Sequence, residues 1–179
     1  MIRLVPFTMG DADELIHWIP SEDFLMQWGG PEFVFPLTKG QIQNYLGKEN
    51  QLVFTAKNIE SGLTVGHICI SRIDAANKSC RISKVLVGSP ETRGKGYGQK
   101  MIKGCLDIAF RELEFRRITL AVFDFNEQAI NCYSKAGFRI EGHTINARKV
   151  NQSFWSLYEM GITREGWELD RKEKASFNS

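Results

Sequence analysis

Between residues 52 and 113 the hydrophobic period of the chain changes once, from two to 3.6, and no other feature restricts the fold as much. Residues 52–57, 64–73 and 80–87 read as strands, separated by a Glu60-Ser61-Gly62 turn and a polar turn around Ala76-Asn77-Lys78. They predict an antiparallel meander. Residues 94–113 then carry two apolar rows, Tyr97-Met101-Cys105-Ile108 and Ile102-Leu106-Ala109-Leu113, so a helix buried along a broad face follows the third strand. Strands and helices that must cover one another give an α/β (α+β) chain.

The flanks extend this pattern. A short strand over 2–7 leads to a helix over 11–18, with Asp11 as its N-cap, Leu15, Trp18 and Ile19 as its apolar stripe and Pro20 as its stop. Residues 21–36, rich in Gly, Pro and aromatics, read as an ordered loop or short helix. Thr38 caps a helix through 47. After the long helix come a strand over 118–123, a helix over 126–136 closed by Gly137, and a hairpin pairing 138–143 with 154–162 across a basic, polar excursion at 148–152. One domain is expected over 1–168, with a charged tail over 169–179 that frays.

Charge narrows the function classes. The chain has 23 Lys and Arg against 21 Asp and Glu, a balance that argues against a nucleic-acid partner held by a large basic field. The charges are unevenly spread. Residues 1–60 hold four basic and eight acidic side chains, residues 61–120 eleven and five, and the remainder eight and eight. Such a split suits a site with an anion-binding side and a cation-binding side. Cys69, Cys80, Cys105 and Cys132 lie singly in apolar segments and read as reduced core thiols of a cytoplasmic protein. No signal-peptide pattern and no membrane-length apolar run is visible, so no membrane partner is expected.

The most informative segment is Val85-Leu86-Val87-Gly88-Ser89-Pro90-Glu91-Thr92-Arg93-Gly94-Lys95-Gly96-Tyr97-Gly98. A strand ends there in a basic, Gly-rich turn that opens a helix. Glycines at alternate positions leave backbone N–H groups unobstructed, and the helix dipole with Arg93 and Lys95 completes an anion site suited to a phosphate or pyrophosphate. A Walker A loop does not fit, since Gly88 precedes Gly94 by six positions and Lys95 is followed by Gly96. A dinucleotide fingerprint fails too, because the order is G-x-G-x-G after an antiparallel meander.

With these residues the chain resembles the GNAT superfamily of acyl-CoA-dependent N-acetyltransferases. Arg93-Gly94-Lys95-Gly96-Tyr97-Gly98 is similar to that family's pyrophosphate loop. Asn126 to Phe138 matches its N-x-x-A-x-x-x-Y-x-x-x-G-F helix through Asn126, Ala129, Tyr133, Gly137 and Phe138. The ending Gly161-Ile162-Thr163-Arg164-Glu165-Gly166-Trp167 looks like that of the ribosomal-protein N-terminal and polyamine acetyltransferase group. The resemblance implies a mixed, mostly antiparallel central sheet with helices on both faces, and acetyl transfer from acetyl-CoA to a primary amine, of a protein N-terminus or a small molecule, by direct attack. It also implies roles for single residues. Backbone groups of Leu86, Val87 and Gly88 would pair with the pantetheine arm, residues 93–98 (Arg93, Gly94, Lys95, Gly96, Tyr97, Gly98) would hold the pyrophosphate, and Asn126 would bond the cofactor while capping its helix. Tyr133, two turns beyond Asn126 on the same helical face, would donate a proton to the departing thiolate.

One departure bears on the acceptor. Where the ribosomal-alanine branch has a Glu, five residues before the matching Asn, this chain has Ala121. The general base is therefore open among His67, His143, Ser83 through a water, and acids of the first third. Asp11, Asp13, Glu14, Glu22, Asp23 and Glu32, with Trp18, Trp28, Phe33 and Phe35, supply an acidic, aromatic lining suited to a cationic amine. Three His and scattered Cys show no metal-ligand spacing. A non-catalytic acyl-CoA-binding sensor is the alternative that the missing Glu leaves open, and the strand ends and last hairpin offer a homodimer surface.

Overall fold

The computed structural model describes residues 1–176. In chain order the elements are β1 (Ile2–Pro6), α1 (Ala12–His17), α2 (Glu22–Gly29), α3 (Lys39–Leu46), β2 (Leu52–Asn58), β3 (Thr64–Asp74), β4 (Ser79–Val87), α4 (Tyr97–Asp107), β5 (Arg117–Phe123), α5 (Glu127–Lys135), β6 (Arg139–Val150), β7 (Ser153–Thr163) and α6 (Arg164–Ser176). The strands form one seven-stranded sheet in the order β1-β2-β3-β4-β5-β7-β6. Only the β4–β5 contact is parallel.

The period-2 alternation of β3 explains the layering. Ile68 and Ile70 point to one face, where they join Met101, Ile102 and Leu106 of α4 and Phe138 at the start of the hairpin. Cys69 points to the other, against Leu15 of α1, Leu25 and Trp28 of α2, and Ile42 and Tyr45 of α3. Both faces are thus covered by helices, as expected.

Several local expectations give way to nearby competitors. Asp11 does not cap α1 with its side chain. It reaches back to Thr8, accepting from the Thr8 backbone N–H at 2.9 Å and from its hydroxyl at 3.1 Å, so a 3₁₀ turn over Met9–Asp11 precedes the helix. Residues 22–29 are a full helix, because Ser21 accepts from the Phe24 N–H at its N-terminus. The helix expected from 94 starts at Tyr97: Gly94 and Gly96 have φ of +74° and +75°, outside the helical region. Its last residues widen into a π turn over Ile108–Glu112.

The basic excursion at 148–152 is mostly strand. Arg148, Lys149 and Val150 pair with Trp155, Phe154 and Ser153, and a register shift between Thr144 and Arg148 absorbs the extra residues. Of the charged tail expected over 169–179, residues 169–176 continue α6, and 177–179 lie outside the described residues. Trp167 is buried beside Phe110, and the Arg171 guanidinium lies 4.8 Å from the Trp167 ring while donating to Asp107, which holds α6 down through the proposed boundary at 168.

What positions the site is the short parallel contact. Only Ser79, Cys80 and Arg81 of β4 pair with Arg117, Ile118 and Thr119 of β5. Beyond them the strands diverge. A bulge at Lys84, with φ +52°, twists the end of β4 further: between the pairs His67–Leu86 and Cys69–Ser83, the single residue Ile68 of β3 stands opposite Val85 and Lys84 of β4.

Candidate active site

Two clefts open where β4 and β5 part. The first, of about 620 Å³, runs over the start of α4 and along α5, and is lined by Val87, Arg93, Gly94, Gly96, Gly98 and Tyr133 among others. The second, of about 810 Å³, lies under the α2 C-terminus and is lined by Glu32, Lys84, Ser83, Ala121, Arg148 and Leu157 among others. Gln27, Trp28, Val85, Asn126, Ala129 and Tyr133 line both.

The first cleft gathers most of the residues named for the cofactor. Gly94 and Gly96 hold left-handed conformations, and no atom lies within 4 Å of where a Cβ would stand on either. Gly96 therefore delivers the chain to α4 with the helix N-terminus uncovered, the arrangement an oxyanion group needs. Tyr97 is fixed at the helix start by accepting from the Asn58 side-chain N–H at 2.9 Å. Arg93 lies with its guanidinium 5.6 Å from the Phe24 ring, donating to the Gly88 carbonyl at 3.3 Å. These residues fit a pyrophosphate.

Two of the named residues stand apart. Lys95 is exposed and lines neither cleft. Gly88 gives its N–H to the Val65 carbonyl at 2.9 Å, so that donor is committed to the sheet. Strand alternation turns the main-chain groups of Val87 the other way, toward the gap beside β5, while those of Leu86 face β3. Sequence reasoning missed Phe24 and Gln27 as cleft walls and expected Trp28 on the acceptor side alone; the signal was the i, i+4 pair Phe24 and Trp28 inside a segment read as a loop or short helix.

Asn126 caps α5, its Oδ1 accepting from the Ala129 N–H at 3.2 Å, and still lines both clefts. Tyr133, two turns on, is 8% exposed with its ring packed edge-on to Phe138. Burial, and then the neighbouring Cys132, push its phenol pKa up, so the group is protonated at any physiological pH. Its hydroxyl has no hydrogen-bond partner among the described residues, at the place where the clefts meet. Cys132 lines the first cleft too, but burial raises its thiol pKa, the opposite of what a nucleophile requires.

The base candidates separate clearly. His67 is enclosed by Phe7, Trp28 and Tyr45, shares a 3.2 Å hydrogen bond with the Tyr45 hydroxyl, and is pushed down to about 3 by burial and the nearby Lys84 charge. It is a structural histidine. His143 pairs with Asp124 at 3.0 Å and lines neither cleft. Ser83 lies in the second cleft, its hydroxyl 2.9 Å from that of Ser71. Ala121 lines the same cleft, and the residue opposite it on β7 is Glu159, whose carboxylate takes two bonds from Arg81 at 3.0 and 2.9 Å.

Of the acids expected around the acceptor, only Glu32 lines the second cleft. Asp11 is occupied by Thr8, Asp13 by Lys39 and Asp23 by Asn151, while Glu14 and Glu22 are exposed outside it. Trp18 and Phe33 are core, Phe35 lines neither cleft, and Trp28 lines both. The helix rotation that buries Leu25 and Trp28 turns the first-turn acids of α2 to solvent. Among the described residues no three His, Cys, Asp or Glu side chains gather as a metal site, and no helix is long and apolar enough to cross a membrane.

A sheet opened between two parallel strands, with a basic, Gly-rich loop against one side of the gap and Tyr133 lining both clefts, suits one class: an acyl-CoA-dependent transferase. The chain belongs to the acetyltransferase (GNAT) family, which matches residues 14–138, and is an N-acetyltransferase that uses acetyl-CoA. Relatives include the spermidine N(1)-acetyltransferase of Vibrio cholerae, 27% identical over 120 residues, which are 67% of each chain. The spermidine N(1)-acetyltransferase of Escherichia coli K12 is 30% identical over 87 residues, 49% of this chain and 47% of that one, so the match spans about half of that relative. The aminoglycoside N(6')-acetyltransferase type 1 of Klebsiella pneumoniae is 26% identical over 151 residues, 79% of this chain and 75% of that one. The crystal structure of the Vibrio cholerae spermidine N-acetyltransferase in complex with CoA and spermine superposes with a TM-score of 0.80 at 20% identity, covering 93% of this chain and 98% of that one. That likeness establishes the shared fold.

Proposed function

We propose that acetyl-CoA lies in the first cleft, that a primary amine enters through the second, and that the acetyl group passes directly between them beside Tyr133. The observation that carries this is the set of residues common to both clefts, above all Asn126 and Tyr133. Acetyl-CoA supplies the acetyl group as a thioester. Residues 93–98 and the start of α4 bind its pyrophosphate, and the Val87 edge of β4 aligns the pantetheine arm as an added strand. As the amine forms its C–N bond and the C–S bond breaks, the Tyr133 hydroxyl donates a proton to the departing sulfur. The sulfur leaves into the same poorly solvated space, which raises its own proton affinity.

The amine must shed a proton to react. Lys48, Arg72, Arg81, Lys84 and Arg148 outnumber Glu32 and Glu49 around the second cleft, a balance that disfavours an ammonium and so favours the neutral nucleophile. Water in the open cleft then takes the proton, and no dedicated base is required.

A cytoplasmic location belongs to this reading, because Cys69, Cys80 and Cys105 are buried, unpaired thiols. A homodimer contact would fall on the exposed Ile145 and Phe154 of the β6–β7 hairpin. The test is release of the CoA thiol from acetyl-CoA over a panel of amines, with the acetylated product identified by mass. Turnover with at least one primary amine is expected. Tight acetyl-CoA binding without turnover on any amine would contradict transfer and favour an acyl-CoA sensor.

A further inference from the structure

Charge in the second cleft is distributed unlike the charge along the sequence. Five cations and two carboxylates line it, and the pairing among them leaves positive charge in surplus. Lys84 stands on the β4 bulge with its side chain only 10% exposed, its Nζ 2.5 Å from Glu32 Oε2. Lys48 holds the other oxygen of the same carboxylate, also at 2.5 Å. Burial works to raise the Glu32 pKa, yet the hydrogen bonds from Lys48 and Lys84 override it and keep the carboxyl below its ordinary value. One carboxylate thus serves two ammonium groups, and the trio carries a net positive charge.

Arg81 is matched by Glu159. Arg72 and Arg148 make no ion pair among the described residues; the Arg148 side chain donates only to the carbonyl of Ala147. Ser71 and Ser83, their hydroxyls 2.9 Å apart, line the same cleft. Lys84 lies deep in the cleft, whereas Arg72 and Arg148 are exposed at its mouth, so the surplus reaches solvent there as a field that attracts anions.

We infer that the acceptor amine carries its own anionic group, a carboxylate or a phosphate monoester, which Arg72 and Arg148 bind at the mouth of the second cleft while the amine faces Tyr133. A polyamine would bring further positive charge to a cleft whose one deep carboxylate, Glu32, is already doubly bound. The inference rests on the acetyl-transfer reading and adds the substrate class to it, against the polyamine and aminoglycoside acceptors in the names of the relatives.

The experiment compares kcat/KM within matched pairs on the full chain: glycylglycine with glycylglycinamide, phosphoethanolamine with ethanolamine, and both sets with spermidine and kanamycin. In at least one pair the anionic member is expected to be preferred about threefold or more, the usual scale for pairing with exposed arginines. Which pair shows the preference separates carboxylate from phosphate. The double variant R72Q/R148Q should bring that ratio close to one, and the ratio is internal to each preparation, so loss of folded protein does not imitate the effect. Spermidine or kanamycin as the best acceptor, ratios at or below one in both pairs, or a ratio in R72Q/R148Q as large as in the parent chain would each overturn the assignment and leave acetyl transfer intact. Absence of turnover on every amine would overturn both.

Discussion

Replacing Tyr133 by Phe is expected to lower kcat by about 100-fold or more while leaving acetyl-CoA affinity within about twofold, the usual scale for loss of a positioned general acid. The substitution keeps the ring and hence the packing on Phe138, and removes only a hydroxyl that bonds to nothing else among the described residues. No buried partner is left unsatisfied, so the thermal midpoint should hold. Because burial keeps the phenol protonated well above neutrality, the deficit should have the same size from about pH 6 to pH 9. Steady-state kinetics with calorimetric titration of acetyl-CoA separates the two effects. A kcat within twofold of the parent would remove Tyr133 from the chemistry.

Replacing Gly96 by Val should act on the other parameter. Gly96 has φ +75°, and a β-branched residue there costs about 1–3 kcal/mol in backbone strain. Its Cβ meets no atom of the protein within 4 Å, so the fold does not forbid it sterically; what it obstructs is the uncovered start of α4. The loop can relieve the strain only by leaving the conformation that presents its N–H groups. The dissociation constant for acetyl-CoA should rise at least tenfold, which corresponds to about 1.4 kcal/mol, with little change in the unfolding midpoint. Unchanged affinity would remove the pyrophosphate site from residues 93–98.

These two residues belong to the part of the molecule that local sequence makes legible. Gly94 and Gly96 mark the anion-binding turn, though not the left-handed φ that delays α4 to Tyr97, Asn126 declares a helix start, and Tyr133 follows from it by helical spacing. The alternation in β3 and the rows of α4 give the layers for the same reason, since each pattern repeats within a few residues. What escaped depends on contacts between distant segments. The Thr8–Asp11 capping box is the local exception, formed across three residues. Glu32 reads as one acid in an acidic third until the fold sets Lys48 and Lys84 against it. The two-sided charge split therefore keeps its anion-binding half in the sequence, while its acidic half is spent on Thr8, Lys39 and Asn151 outside the clefts.

A crystal structure with acetyl-CoA bound tests the central claim most directly. The account predicts the diphosphate against residues 93–98, the pantetheine arm alongside Val87, and the thioester sulfur within hydrogen-bond reach of Tyr133 Oη, with its acetyl carbon open to the second cleft. Diphosphate density away from that loop, or a thioester out of reach of Tyr133 with the loop occupied, would contradict it.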